Sequence, residues 1–464
     1  MITHPVTWLG ALGSAAMALF EMWDYAPVLN RVSVTLAWTM LPLAASVALV
    51  TGWAVLRAMG RSDTQPSVVM PLSMDRRVGG ILIGLLWPAA LTLLLQLTLL
   101  AWVWARDPVT SIAWAELLVG PLYVMFAGAF AAALARWIPH PASPIFSILG
   151  LLGLMVIFPY DQTDWGRRIG LEWLQPMAWP QDIIPYEVAF RPAGAHLGYL
   201  FGLFLLLAGI AAAGRSWTAT MVLGTGLVLA VVLGTAQMGD ITDSQRAEAI
   251  GLLVGDDLQC ETRGDITFCF MPGYGNWVDD WVAAAEPILA AAPREAIDMI
   301  KIRQYPVHNT FLLDGQDYNS WWWIEQAYED FVARDVMPVG STLASWTRSY
   351  EIAGALASRI SGCDFFGAEC PGEASRMISL WLAAHEPQIR SNVSYQASPD
   401  SDYASVADCM VAELWARPDA QTLIHANWKK LIAPETSYED AGAILGVSVP
   451  TGYDQNGALI GGCP

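Results

Sequence analysis

Residues with the capacity for bond chemistry are sparse and lie mostly in the second half of the chain. All six cysteines, Cys260, Cys269, Cys363, Cys370, Cys409 and Cys463, follow residue 240. None forms a C-x-x-C pair, so thiol redox catalysis and a thiolate zinc ribbon both lack their spacing. In an oxidising compartment such cysteines form structural bridges. Proximity favours Cys260–Cys269 and Cys363–Cys370, which leaves Cys409–Cys463 to tie the C-terminus to the body. Zinc-dependent hydrolysis would need two histidines four apart on a helix, a glutamate beside the first, and a further ligand beyond. The nearest spacing is Tyr350-Glu351-Ile352-Ala353-Gly354 followed by Glu373, with both histidine positions held by other residues. Two of three protein ligands are then missing, so hydrolysis by that route is not expected. His308, His385 and His425 are scattered, and Pro387 follows His385-Glu386 where a helix would have to continue. No G-x-S-x-G occurs, and spacing picks out no Ser/His/Asp set.

Trp321-Trp322-Trp323 is the most unusual local feature. On a helix, Trp321, Ile324, Tyr328 and Phe331 share a core stripe, so Trp322 or Trp323 must point elsewhere. With Glu325, Glu329, Asp330 and Asp335 nearby, Trp322, Trp323, Glu325 and Glu329 form a candidate ligand surface. Cation–π and charge contacts would suit a cationic or amphipathic peptide there. Packing against the domain's own helices is the structural alternative.

The elements that carry these residues fall into two objects. The chain has 464 residues, 55% apolar and only 14% charged, far below the charge content of soluble domains. Residues 1–239 carry 11 basic and 11 acidic side chains, while residues 240–464 carry 13 and 32. An acidic surface of that strength repels phosphate backbones, which excludes nucleic acid as a leading partner. In the first part, apolar runs cover residues 32–56, 78–105, 117–135, 141–160, 197–214 and 216–239, with a weaker one near 5–20. About 20 apolar residues span a bilayer as a helix. The expectation is a polytopic α-helical membrane bundle of six or seven spans, the first run being a span or an interfacial helix. Pro42, Pro88 and Pro121 sit inside runs and are expected to kink their helices without ending them.

Arg57, Arg61, Arg76, Arg77, Arg136 and Arg215 lie in short connections, which the positive-inside rule places in the cytoplasm. The acidic domain, 240–464, is then extracytoplasmic. The runs hold no ionisable residue, Glu116 lies at the edge of one, and Gln96 is the only long polar side chain deep inside, which disfavours ion coupling. Small residues such as Gly80 and Gly84, Gly150 and Gly153, and Gly224 and Gly226 would let helices approach closely. The long connection 160–196, with Trp165, Trp173 and Trp179, is expected along the outer membrane surface; a gate over an exit path is the alternative.

For the second domain, strands are expected at Thr267–Met271, Met299–Gln304 and His308–Leu313. Helices are expected at 275–291, 318–335, 342–361, 372–385, 402–415, 419–432 and 437–445. Strands first and helices later indicate an α+β, mostly helical, disulfide-stapled domain.

Leu41-Pro42-Leu43-Ala44-Ala45 leading to Gly52-Trp53-Ala54 and Arg57 resembles the permease subunits of bacterial ABC exporters. The likeness is to the divergent actinobacterial kind with an extracellular C-terminal domain. The later span pairs, the long external connection and the cysteine-bearing segment fit the same pattern. The resemblance implies a multi-pass subunit of the bacterial cell membrane working as a homodimer or with a second permease. It also implies a cytoplasmic ATPase on a separate chain, since no G-x-x-x-x-G-K-[ST] is present and this chain would bind no cofactor itself. ATP would bind the partner, and no residue here would do bond chemistry. The frame Tyr350, Glu351, Gly354 and Glu373 also resembles the zincin pattern in degenerate form. Alternatives are therefore a membrane-anchored extracytoplasmic (pseudo)metallopeptidase and a non-transporting anchor or sensor with a ligand-binding domain.

Overall fold

The computed structural model describes residues 4–23, 28–60, 74–106, 108–160, 174–176, 192–213, 217–238, 258–264, 266–297, 301–305, 337–340, 345–363, 370–396, 405–452 and 463. The expected elements at His308–Leu313 and 318–335 lie outside these residues, and so do His308, Trp322, Trp323, Glu325 and Glu329. Two compact units divide the chain, one built on residues 1–249 and one on 250–307 with 321–464.

The first unit is helical: α1 (Pro5–Met22), α2 (Leu29–Trp38), α3 (Leu41–Gly60), α4 (Met74–Ile83), α5 (Leu86–Trp104), α6 (Trp114–Trp137), α7 (Ser143–Tyr160), α8 (Ala193–Ala211) and α9 (Trp217–Ala236). Among the described residues, five stretches are long and apolar enough to cross a membrane: Leu29–Met59, Met74–Trp104, α6, α8 and α9. The first two are interrupted, at Thr39–Met40 and at Gly84–Leu85. Pro42 and Pro88 follow these breaks, and a proline ring clashes with the carbonyl four residues earlier, here Trp38 and Gly84. Pro121, by contrast, sits inside an unbroken α6. Helix α1 runs antiparallel beside α3. A Cβ on Gly10 would strike Ser46, and Ser14 Oγ accepts from Leu43 N at 3.1 Å. The first run is thus a member of the bundle and does not lie across it.

Cross-contacts define two ends. At one, Leu29 N donates to Val109 O at 3.0 Å and Arg106 Nη1 donates to Met22 O at 2.9 Å. At the other, Arg77 Nη1 donates to Ala58 O, Arg136 pairs with Asp75, and Trp137 Nε1 donates to Ile210 O. Helices therefore alternate in direction from α1 to α9, with α2–α3 and α4–α5 each running in one continuous direction. Trp23, Trp104 and Trp114 are exposed at the first end, Trp137 and Trp217 at the second. The 24 residues of α6 put its terminal tryptophans about 35 Å apart, near the thickness of a hydrocarbon core. Between these levels Leu12, Leu94, Leu149, Val228 and Val231 are exposed. So much outward apolar surface is costly in water and natural in lipid.

The second unit contains a four-stranded sheet in the order β1 (Gln259–Arg263), β2 (Ile266–Phe270), β3 (Lys301–Tyr305), β4 (Met337–Gly340). β1 and β2 form an antiparallel hairpin, and β2–β3 and β3–β4 are parallel. Helix α10 (Val278–Ala291) makes the β2–β3 crossover and buries Trp281, Ala285 and Ile288. There follow α11 (Ser345–Ser361), α12 (Glu373–Ala383), α13 (Pro387–Gln396), α14 (Val406–Trp415), α15 (Ala420–Leu431) and α16 (Tyr438–Leu445). The helix before Pro387 ends ahead of it as expected, but Pro387 also opens a further helix, α13, that the sequence pattern does not mark. Proline lacks the N–H that the first helical position does not need, and Glu386 Oε2 accepts from Ile389 N at 2.8 Å. Disulfides join Cys260–Cys269, Cys363–Cys370 and Cys409–Cys463. The first links residues directly opposed across the β1–β2 hairpin.

Candidate functional site

At the second end of the bundle the basic connections converge. Arg136 Nη2, in the last turn of α6, is 3.3 Å from Asp75 Oδ1 in the first turn of α4. An acid in a first turn and a base in a last turn each complement their own helix dipole. Arg77 donates to the Ala58 carbonyl of α3, which carries Arg57 in its last turn. One patch thus gathers the ends of the 57–77 and 136–142 connections, which are separate in sequence.

At the first end, Arg106 caps α1 through the Met22 and Trp23 carbonyls and lies over the Trp102 ring at 5.0 Å. Most of the 160–196 connection lies outside the described residues, but 174–176 are held. His196 is buried, with Nδ1 3.0 Å from Gln237 Oε1 and Nε2 3.3 Å from Pro176 O. Tyr199 Oη also donates to Leu174 O at 3.3 Å.

Within the bundle, Glu116 lies at the edge of its run, as the sequence places it, yet it is buried. It occupies the first turn of α6 at 1% exposure, so a carboxyl is enclosed by the helices. Gln96 is fully buried as well. Among the candidate small residues, Gly226 meets backbone of α8 and Gly150 meets the Phe130 ring. Gly80, Gly153 and Gly224 have no such neighbour.

In the second unit, Tyr350, Glu351 and Gly354 lie on α11 and Glu373 opens α12. Glu373 Oε2 accepts from Tyr438 N at 3.0 Å, satisfying a free donor at the start of α16. Among the described residues no group of three or more His, Cys, Asp or Glu is placed to hold a metal ion. His425 donates to the Ala291 carbonyl at the end of α10 (2.7 Å). His385 Nδ1 is 3.1 Å from both the Trp381 and Leu382 carbonyls, so that nitrogen carries the proton. Its ring lies between Trp381 and Trp415, at centroid distances of 4.8 and 4.6 Å, and Arg390 covers Trp415 at 3.9 Å. Burial holds the His385 imidazole below the usual histidine range, against two carbonyl hydrogen bonds that raise it. Asp408 closes a capping box with Ser405, and burial pushes its carboxyl above the usual range. The cluster around His385 had no sequence signal, because Trp381, Arg390 and Trp415 come from three helices.

No family model, curated protein or solved structure matches the chain.

Proposed function

We propose that this chain is the membrane subunit of an ATP-driven exporter in the bacterial cell membrane, with its ATPase on a separate cytoplasmic chain. The observation that carries the reading is the Arg136–Asp75 contact, which draws the basic connections into one patch at one end of the bundle. With that patch cytoplasmic, the alternating helices deliver residue 238 to the outer side, where the three disulfides of the second unit are chemically at home. The patch is then the docking face for the ATPase, and a homodimer or a second permease completes the pore. The acidic external domain gates or binds substrate on the exit side; its charge favours a cationic or amphipathic peptide. The peptidase alternative is weakened by Glu373, whose carboxylate is committed to the α16 terminus.

The test is purification from native membranes in mild detergent with mass spectrometry of co-purifying chains. A stoichiometric ATPase, lost on Arg136→Glu, is the expected result. Repeated isolation of this chain alone overturns the reading.

A further inference from the structure

Along one seam of the bundle, polar side chains are enclosed where the surroundings are apolar. Helix α2 presents Asn30, Ser33 and Ala37, spaced i, i+3 and i+7 on one face. Helix α6 presents Glu116 and Gly120, one turn apart. Gln96 of α5 meets them from a third side: a Cβ on Gly120 would strike the Gln96 amide nitrogen and lie 3.4 Å from Ala37 Cα. Glycine at 120 is what admits the amide. Asn30, Ser33, Glu116 and Gln96 are 3%, 0%, 1% and 0% exposed.

Some of these groups are satisfied locally. Ser33 Oγ donates to Leu29 O at 2.8 Å, and Asn30 Oδ1 accepts from Arg31 N at 2.7 Å. Asn30 N donates to Thr110 Oγ1, which places the top of the seam at the end where Val28 pairs with Val109. In this seam three amide atoms have no hydrogen-bond partner among the described residues: Asn30 Nδ2, Gln96 Nε2 and Gln96 Oε1. An amide buried in an apolar medium without partners is strongly disfavoured, and in a membrane bundle small polar molecules supply what neighbouring helices do not.

We propose that the α2–α5–α6 seam is a hydrated recess that opens at the Val28–Val109 end and admits water down to Gln96. From Asn30 to the level of Ala37 is seven residues of helix, a depth of about 10 Å. The recess takes small hydrogen-bonding molecules, water first, with an amide at its floor that both donates and accepts. The proposal deepens the membrane-bundle reading by placing a polar foothold on the exit side, and it requires no ATPase.

All six native cysteines are in disulfides, so an introduced thiol reports alone. Gln96→Cys and Ser33→Cys are made in the full chain, in oriented membrane vesicles. Silver ion, a thiol reagent of near-water size, is added to the outer face. Thiols left unreacted are then counted by mass after maleimide labelling in denaturant. Val47→Cys, a buried apolar site on α3 outside the seam, is the dry reference. The expected result is modification of Gln96→Cys and Ser33→Cys at least about tenfold faster than Val47→Cys. Ser33→Cys is nearly isosteric and keeps the test decisive if Gln96→Cys does not accumulate. Rates equal to Val47→Cys overturn the recess and leave the exporter reading standing; fast modification in a chain that binds no ATPase does the reverse.

Discussion

Arg136 at the end of α6 and Asp75 at the start of α4 meet at 3.3 Å, although 61 residues separate them in sequence. The contact closes one end of the bundle and brings two basic connections to a common patch. Both side chains are partly exposed, at 20% and 33%, so the pair is a modest clamp. A double-mutant cycle with Asp75→Ala and Arg136→Ala is expected to give a coupling of about 0.5–1 kcal/mol that shrinks with added salt. Thermal unfolding in detergent measures it, and the exchanged pair Asp75→Arg with Arg136→Asp should recover part of the loss.

The α8–α9 hairpin depends on backbone approach at Gly226. A Cβ there would strike Leu206 N and lie 2.8 Å from the Gly202 carbonyl, and neither atom can rotate away. Gly226→Ala should cost about 1–3 kcal/mol, in the range of overpacked interfaces. Gly224→Ala, at a position with no such neighbour, should be near neutral. Melting temperatures of the two variants side by side check the contrast.

The three disulfides should differ in worth. Cys409 and Cys463 are 54 residues apart, whereas Cys363 and Cys370 are only 7 apart. On the loop-entropy model the long bridge contributes about 4 kcal/mol and the short one about 2.5 kcal/mol. Paired alanine substitutions, compared by denaturant midpoint, are expected to show the larger loss for Cys409 and Cys463.

Neutral His385 is the form that the aromatic cluster accommodates. Its folded value lies below the unfolded one, near 6.5, chiefly through burial, with Arg390 lowering it further. The unfolded chain then binds the extra proton first, so this contribution is fully present above about pH 6.5 and is lost as pH falls through the folded value. His385→Phe should flatten the slope of stability against pH just below 6.5 relative to wild type, measured by denaturant unfolding at fixed ionic strength.

Glu373 acts as a cap, so Glu373→Ala should lower stability by about 0.5–2 kcal/mol, as lost helix caps do. Zinc titration by calorimetry should give the same trace for this variant and wild type. A zinc signal that vanished with Glu373 would restore the hydrolase alternative.

Much of the bundle was legible because helices in lipid require long uncharged runs, and such runs are visible without a fold. The interruptions were less so. Pro42, Pro88 and Pro121 look alike in sequence, yet the first two follow breaks and the third does not, a difference that arises in the packing around each turn. In the second unit β1 escaped notice because its residues are polar and mostly exposed. Only pairing with β2 makes Gln259–Arg263 a strand. Helix α13 escaped because Pro387 stops one helix and starts another, and a buried Glu386 decides between them.

The sequence by itself determined the division into an apolar, charge-balanced part and an acidic, cysteine-bearing part, since composition and run length depend on no partner. It also singled out Gln96, because a long polar side chain within an apolar run is conspicuous in one dimension. Tertiary structure alone decided what Gln96 meets. Gly120 and Ala37 reach it from other helices, Glu116 is enclosed one turn away, and Arg136 finds Asp75. Such contacts depend on how helices distant in sequence are set side by side, and no local pattern encodes that setting.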